Sequence, residues 1–187
     1  MEPHPSGLAP GRYLYIIPHA MKVFSVCGPF DVPLQPNAGG KMVAKNLDGF
    51  WDGVGEHRHA VGVYVFAIRA GKGYTPIYVG KTANSFENEA FTPTNRANHY
   101  NPALLRYKKG LPVLFFVVHP RSKGKINQKA IDQVETFFID VASIKNSELS
   151  NVKKKKKHMW RVSGVVRAKQ GEGKAYAAQK LKRAVDL

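Results

Sequence analysis

Glu135 is the residue whose position in the sequence most needs a chemical explanation. Residues 128–145 carry apolar side chains at helical spacing, and Asn127 is placed to cap the start of that helix. At 100° per residue, Glu135 lies on the same face as Ile131 and Phe138. A carboxylate on an apolar face is costly unless a partner compensates its charge. Glu135 therefore needs a partner of opposite charge, for which a basic side chain is one candidate.

Two tyrosines lie in short glycine-containing motifs of a predicted β-hairpin. A Gly-Val-Tyr motif ends at Tyr64, a Tyr-Val-Gly motif begins at Tyr78, and Lys81 follows it. The flanking runs are rich in β-branched and aromatic residues, and the glycines between them predict a turn. With the turn centred on Gly71, Tyr64 lies opposite Tyr78 with side chains about 5 Å apart. We therefore expect both phenols on one face of a sheet.

The order of these motifs along the chain resembles that of the GIY-YIG nuclease family. The similarity covers residues 61–152, about half of the chain, and includes an arginine after the second motif, a glutamate on a long helix and an asparagine beyond it. The site residues that the resemblance implies are Tyr64, Tyr78, Lys81, Arg96, Tyr100, Glu135 and Asn151. His99 competes with Tyr100 for its place, and Asn151 fits the terminal asparagine better than Asn146.

The resemblance also implies what these groups do in hydrolysing a phosphodiester. Glu135 would bind the metal ion, Mg²⁺ or Mn²⁺, and Arg96 would bind the scissile phosphate through its planar fork. One of the two motif tyrosines would act as the base, which requires that Lys81, Arg96 or the metal stabilise its phenolate, since tyrosine ordinarily ionises near pH 10. Tyr100 follows Arg96 by one helical turn, so both should face the site. Asn151 would support the site by hydrogen bonds.

The fold that the resemblance implies is an α/β domain with a small, mainly antiparallel sheet flanked by helices. Residues 112–119 form an uninterrupted apolar run, which predicts a central strand covered on both faces. A helix is expected within residues 94–109, with a break at Pro102. The long spacing from Tyr78 to Arg96 leaves room for an insert. Together with the long N-terminal segment, this insert favours the restriction-enzyme branch of the family.

The sequence divides into three parts. These are an N-terminal arm at residues 1–60, a nuclease-like domain at residues 61–152 and a basic C-terminal extension at residues 153–187. In the arm we expect a short strand at residues 12–17 and a long loop over residues 28–56, where Gly, Pro, Asn and Asp are frequent. In the extension we expect a hairpin over residues 159–167 and a basic helix over residues 173–184.

The net charge is strongly positive and concentrated towards the C-terminus. The 187 residues include 29 Lys and Arg against 13 Asp and Glu, a formal net charge of +16. Residues 1–60 are balanced, whereas residues 151–187 have twelve basic and two acidic side chains. This distribution is typical of a nucleic-acid-binding protein, because each phosphate contact releases counterions. The expected DNA contacts are Lys153, Lys154, Lys155, Lys156, Lys157 and Arg161. A solvated tail or a nuclear-import signal is the alternative interpretation of the lysine run.

Composition argues against several other classes of protein. Cys27 is the only cysteine, which excludes an internal disulfide and every multi-cysteine metal site. No apolar run approaches the ~18 residues of a membrane-spanning helix, and the N-terminus lacks the basic and apolar parts of a secretion signal. His57 and His59 lack a third ligand at a recognisable spacing, which favours a surface loop over a metal site. We therefore expect an intracellular, cytoplasmic protein.

The function expected from these features is metal-dependent endonucleolytic cleavage of DNA, of the restriction type. A homodimer on DNA is compatible with this expectation. One alternative is a catalytically inactive module that binds nucleic acid. Another is a nuclease directed at RNA or branched DNA. Cleavage assays on duplex, branched and single-stranded substrates separate these hypotheses.

Overall fold

The chain forms two antiparallel sheets with helices on both faces of the larger one. The computed structural model describes residues 23–71, 73–120, 125–151 and 176–184. Its strands are β1 (Ser25–Asp31), β2 (Leu34–Asn37), β3 (Gly40–Val43), β4 (Gly62–Ala70), β5 (Gly73–Thr82) and β6 (Leu111–Val118). Its helices are α1 (Asp48–Val54), α2 (Phe86–Glu89), α3 (Pro93–Asn95), α4 (Asn101–Arg106), α5 (Gln128–Lys145) and α6 (Tyr176–Ala184). A 3₁₀ turn at Gly55–His59 and a π-helical turn at Arg96–Tyr100 are the other described elements.

The main sheet has four strands in the order β1-β6-β4-β5, and each neighbouring pair is antiparallel. β2 and β3 form a separate hairpin. The predicted α/β architecture with a mainly antiparallel sheet is therefore confirmed. The apolar run predicted as a central strand is β6, which lies between β1 and β4. β5 lies at the edge of the main sheet, so one side of its backbone needs partners from elsewhere.

Two clusters of buried side chains lie on opposite faces of the main sheet. On one face, Phe66 of β4 and Phe116 of β6 pack with Trp51 of α1 and with side chains of the other short helices. On the other face, Val63 of β4 packs with Ile139 of α5. The sheet is thus covered on both sides, as the continuous apolar run of β6 requires.

Residues 28–56 do not form the predicted long loop. They complete β1, form the β2–β3 hairpin and continue into α1, which buries Phe50, Trp51 and Val54. The prediction of a loop or wrapping arm is wrong because the glycines and prolines fall at turns and at a bulge in β1, where they do not interrupt pairing with β6. The sequence division at residue 60 does not mark a break in the core. The strand predicted at residues 12–17 lies outside the described residues.

The hairpin of β4 and β5 is confirmed, but its predicted register is wrong. Tyr64 pairs with Gly80, and Phe66 pairs with Tyr78. One residue of β5, Ile77, is bulged, so the pairing shifts by one position beyond it. Tyr64 and Tyr78 nevertheless lie on the same face, as diagonal neighbours.

The helical predictions are confirmed where the sequence pattern is strong. α5 spans the predicted residues, and the Asn127 side chain accepts a hydrogen bond from the backbone of Ala130 at 3.0 Å. The predicted break at Pro102 corresponds to the start of α4, where a missing N–H is tolerated. α6 confirms most of the predicted basic helix, whereas the predicted hairpin at residues 159–167 lies outside the described residues. No helix within the described ranges is long and apolar enough to cross a bilayer.

Candidate active site

Glu135 belongs to a cluster of charged side chains between α5 and β5. Nζ of Lys81 lies 3.4 Å from Oε2 of Glu135 and also forms an ion pair with Asp132, one turn earlier on α5. The side chain of Glu135 is 11% exposed and that of Asp132 is 43% exposed. The hydrogen bond from Lys81 to Asp132, followed by the charge of Glu135, raises the pKa of Lys81 against the effect of burial. The predicted need of Glu135 for a charge partner is therefore confirmed.

Tyr64 and Tyr78 lie side by side, with ring centroids 6.2 Å apart. Tyr64 is buried, and its hydroxyl oxygen accepts a hydrogen bond from Nδ2 of Asn95 at 2.9 Å. Tyr78 is half-buried and stacks on the imidazole of His99, with centroids 3.9 Å apart and planes 12° from parallel. The structure thus confirms that the two phenols share one face.

The environment of both phenols favours the protonated form. Burial is the main cause that raises the pKa of Tyr64 above its ordinary value, and Tyr78 adds to it. Burial also raises the pKa of Tyr78, and the charge of Glu135 is the next cause. A tyrosine acting as a base would therefore need a positive charge beside it, but the ammonium of Lys81 is already paired with carboxylates.

The parts of the candidate site lie around the edge of the sheet, not on one face. Tyr78 and Lys81 are three residues apart on β5, so their side chains point to opposite faces. Tyr78 faces the short helices, whereas Lys81 faces α5. Glu135 connects the two sides, because its charge acts on both Tyr78 and Lys81.

The guanidinium of Arg96 is held by backbone carbonyls. Its hydrogen bonds within the described residues reach no other predicted site residue. Its Nε donates to the carbonyl of Phe91 at 2.9 Å, and its Nη1 donates to the carbonyl of Ala44 at 3.0 Å. Burial lowers the pKa of Arg96, although Tyr100 opposes this effect. The guanidinium therefore joins the segment after β3 to the loop before α3. A role at the scissile phosphate stays a prediction that this placement does not support.

Tyr100 is a fully buried residue that packs against the tyrosine pair, with its ring edge-on to Tyr78 at a centroid distance of 6.2 Å. The role at the site that the resemblance implies for Tyr100 stays a prediction. The side chain of Tyr100 has no exposed surface, its ring stacks on Phe66 with centroids 4.0 Å apart, and its hydroxyl donates to the carbonyl of Ala90 at 2.7 Å.

Asn95 and His99, one position before Arg96 and Tyr100, also contact the tyrosine pair. Asn95 and His99 are also one helical turn apart. The π-helical turn at Arg96–Tyr100 contributes to the one-residue shift in which side chains of this segment face the sheet. His99, the alternative to Tyr100, therefore stacks on the face of the Tyr78 ring, whereas Tyr100 packs edge-on against the same ring.

Asn95 is not among the predicted site residues, although a local signal for its position exists. Thr92 accepts a hydrogen bond from the backbone of Asn95 at 3.3 Å, and Pro93 occupies the first turn of the helix. A threonine followed by proline is a typical helix start. When helical positions are counted from Thr92 and not from Arg96, Asn95 and His99 fall on the face that turns towards the site.

Residues 146–151 cover the open edge of β5. Nδ2 of Asn146 donates to the carbonyl of Pro76 at 2.7 Å, and the backbone N–H of Ser150 donates to the carbonyl of Ile77 at 2.7 Å. These bonds satisfy strand groups that have no partner in the sheet. The segment after α5 therefore takes the place of a fifth strand beside the candidate site.

Asn151 continues this cover and is bonded to Val79 in both directions. Its Oδ1 accepts from the N–H of Val79 at 2.9 Å, and its Nδ2 donates to the carbonyl of Val79 at 2.7 Å. Val79 lies between Tyr78 and Gly80, so Asn151 fixes the backbone that carries the second motif. This contact is the hydrogen-bonded support expected of Asn151.

His99 also contacts the covering segment, through Ser150. Its Nδ1 lies 2.6 Å from Oγ of Ser150, and both residues line a polar cavity of about 210 Å³. Arg106 and Glu148 form an ion pair of 2.6 Å at this cavity. Burial lowers the pKa of His99 below the ordinary value of 6.5, so its imidazole is neutral at pH 7.

The carboxylates of α5 have the chemistry required of a site for a hard cation. Glu135 and Asp132 already hold the positive charge of Lys81, and Mg²⁺ and Mn²⁺ bind oxygen ligands of this kind. In the part of the chain that the structure describes, no group of three or more His, Cys, Asp and Glu residues is arranged to hold a metal. Two carboxylates are nevertheless enough for Mg²⁺, which usually keeps several water or phosphate ligands.

Comparison with known proteins does not extend this description. No family model, curated protein or solved structure matches the chain. The predicted DNA contacts at residues 153–157 and at Arg161 lie outside the described residues.

Proposed function

We propose that this protein is a metal-dependent endonuclease that hydrolyses phosphodiester bonds in DNA, with an active site like that of GIY-YIG nucleases. The observation that supports it best is that Glu135 pairs with Lys81 at the edge of the sheet and that its charge also acts on Tyr78 of the same strand. They come from β5 and α5, and Lys81 and Glu135 are 54 positions apart in the sequence yet 3.4 Å apart in space. Asn151 and His99 approach the same strand from two further segments.

The residues of the site supply the groups that phosphodiester hydrolysis needs. The reaction requires a deprotonated water, neutralised charge on the phosphate oxygens and help for the departing 3′ oxygen. Glu135, with Asp132 beside it, would hold Mg²⁺ or Mn²⁺, which when bound lowers the pKa of water and neutralises phosphate charge. Lys81 adds a fixed positive charge at the same place. Tyr78 keeps its proton and can donate a hydrogen bond.

The charge of the chain supports DNA as the substrate. A formal net charge of +16 attracts a polyanion, and the twelve basic residues after position 150 provide contacts without base specificity. The insert between Tyr78 and Arg96 corresponds to α2 and α3, which favours the restriction-type branch. A cytoplasmic location and a homodimer on DNA remain predictions.

Replacement of Glu135 tests the proposed function. Glu135→Gln removes the buried carboxylate and should lower cleavage of plasmid DNA by a factor of at least ~10³. DNA affinity should stay within a few-fold, because basic residues make the phosphate contacts. The matched control is Glu56→Gln, at an exposed residue of the 3₁₀ turn. Retention of more than about a tenth of the wild-type rate would contradict the assignment.

A second candidate function is a nucleic-acid-binding module that does not cleave. The placement of Arg96 favours it, since that guanidinium is bound to backbone carbonyls. Gel-shift and cleavage assays on duplex, branched and single-stranded DNA and on RNA, with Mg²⁺ and with Mn²⁺, distinguish the candidates. Binding without cleavage of any substrate supports the binding module. Cleavage of RNA or branched DNA alone supports a nuclease directed at those substrates.

A further inference from the structure

The proposed hydrolysis needs a base, and the tyrosines are poorly suited to that role. Burial keeps both Tyr64 and Tyr78 protonated at neutral pH. Lys81 is paired with two carboxylates, and Arg96 is bonded to backbone carbonyls. A neutral imidazole is available beside Tyr78, however, because burial disfavours the charged form of His99.

The contacts of Ser150 indicate which nitrogen of His99 carries the proton. Nδ1 of His99 lies 2.6 Å from Oγ of Ser150, and that hydroxyl lies 3.5 Å from the carbonyl oxygen of Asn98. A carbonyl can only accept, so a Ser150 hydroxyl that donates to Asn98 has its oxygen available to accept from Nδ1–H, and this arrangement satisfies all three groups. With its proton on Nδ1, a neutral imidazole has a free lone pair on Nε2.

The sequence explains why the carbonyl of Asn98 is available to Ser150. In an α-helix that carbonyl would accept from the N–H four residues later. The residue at that position is Pro102, which has no N–H. The carbonyl therefore has capacity for a hydrogen bond from outside the helix.

Both residues of the contact are held in place by the fold. The imidazole of His99 stacks on Tyr78 with planes 12° from parallel, which restricts rotation of the ring. The backbone N–H of Ser150 is bonded to Ile77 at 2.7 Å, so the hydroxyl is fixed relative to β5. The cover of the sheet edge thus also orients a side chain of the site.

We infer that His99 is the base of the proposed hydrolysis and that Ser150 is the residue that positions it. Nε2 of His99 takes a proton from water while the water oxygen forms a bond to phosphorus. The bond from phosphorus to the 3′ oxygen breaks, and that oxygen leaves with the electron pair and takes a proton from solvent. The imidazolium then returns its proton to solvent. This inference rests on the proposed function for the reaction, but the tautomer can be tested without it.

The charged and titratable groups around His99 are few in the described chain. Tyr78 faces it from β5, and Arg106, Tyr107 and Glu148 line the same cavity. Arg106 and Glu148 neutralise each other as an ion pair. A pH dependence of cleavage below pH 6.5 that disappears in His99→Gln would therefore belong to His99.

The tautomer is measured by NMR on protein with ¹⁵N-labelled imidazoles, without DNA. The resonance of His99 among the seven histidines is assigned by its loss in His99→Gln. We expect a protonated Nδ1 and an unprotonated Nε2 in wild type, and loss of that preference in Ser150→Ala. Ser143→Ala is the matched control, since the Ser143 hydroxyl also donates to a backbone carbonyl but lies on α5. A wild-type His99 protonated on Nε2 would overturn the positioning role of Ser150.

Cleavage rates test the role of the base. His99→Gln should lower kcat by ~10²-fold or more, as removal of a general base does. Ser150→Ala should lower it by about 10-fold, the effect of removing an outer partner of a histidine. Ser150→Thr, which keeps the hydroxyl, should restore most of the rate, and Ser143→Ala should match wild type.

Failure of this inference is distinguishable from failure of the proposed function. If wild type cleaves no substrate, the nuclease proposal and the assignment of His99 as its base both fail. The tautomer measurement still decides whether Ser150 orients His99. If wild type cleaves and His99→Gln keeps a near-native rate, His99 is not the base. A ~10²-fold loss in Tyr78→Phe alongside that result would assign the base to tyrosine.

Discussion

The ring of Tyr64 occupies the space that a side chain at Gly80 would need. The two residues are paired across β4 and β5, and a Cβ atom at residue 80 would lie 2.3 Å from both Cζ and Oη of Tyr64. The glycine of the first motif is required for a similar reason. Gly62 has a φ of +147°, and a Cβ there would lie 2.1 Å from the carbonyl oxygen of Val117. Both motif glycines thus permit close approaches that hold the tyrosines in place.

Gly80→Ala should destabilise the protein and displace Tyr64. The Tyr64 ring is buried and its hydroxyl is bonded to Asn95, so the extra methyl group should lower the free energy of unfolding by about 3 kcal/mol. Urea unfolding measures the change. Gly53→Ala is the control, because a Cβ at Gly53 in α1 has nothing within 4 Å. That substitution should stabilise the helix by about 0.5–1 kcal/mol; equal effects of the two variants would contradict the steric argument.

Asn151→Ala should loosen β5 where it carries the second motif. It leaves the buried N–H and C=O of Val79 without their partner, at a cost of about 2–4 kcal/mol. Hydrogen exchange of the Val79 amide should accelerate, and urea unfolding should shift accordingly. Asn84→Ala, at an exposed residue, should change stability by less than about 0.5 kcal/mol. An unchanged exchange rate at Val79 would argue against the edge contact.

Asp132→Asn should change the metal requirement of cleavage more than it changes stability. Asp132 is partly exposed, so loss of its ion pair should lower the free energy of unfolding by less than about 1 kcal/mol. Lys81 would then pair with Glu135 alone and compete more strongly with a cation for that carboxylate. The Mg²⁺ concentration for half-maximal cleavage should rise several-fold. Asp132→Asn is therefore unsuitable as a neutral control for Glu135→Gln. A metal requirement identical to that of wild type would count against competition between Lys81 and the cation for Glu135.

Tyr64→Phe should make the protein less sensitive to alkaline pH. The pKa of Tyr64 is raised in the folded state, so the unfolded chain loses this proton first as pH rises above about 10. The contribution of the protonated Tyr64 hydroxyl to the free energy of unfolding is therefore fully present below pH 10. Above pH 10 it is lost, by at most about 1.4 kcal/mol per pH unit. Urea unfolding at several pH values between 9 and 11 should give a shallower decline for Tyr64→Phe. Parallel curves would show that Tyr64 is not responsible.

Replacement of the lysine run at residues 153–157 by serines should reduce the salt dependence of DNA binding. If three of the five lysines contact phosphates, the slope of log affinity against log salt should shrink by about 2.7, at about 0.9 per contact. Base preference should hardly change, since phosphate contacts do not read sequence. Affinities measured across a salt series for wild type and variant decide the matter. Equal slopes would assign the run to solvent or to a targeting signal.

The sequence by itself determined the elements whose pattern is local. The apolar spacing of α5, the cap at Asn127 and the burial of Glu135 depend on residues within a few turns of one another. The apolar run of β6 likewise required cover on both faces. Such features can be predicted because the same short stretch of chain both forms the element and selects its buried face.

Only the tertiary structure decided which side chains meet at the site. A difference of one residue rotates a side chain by 100° around a helix, and so His99 stacks on the face of Tyr78 while Tyr100 stacks on Phe66 in the core. The bulge at Ile77 likewise changes the pairing between β4 and β5. The contacts of Lys81 with Asp132 and of His99 with Ser150 each join residues 51 positions apart. No local pattern encodes such contacts, because they form only when packing brings β5, the π-helical turn and the segment after α5 together.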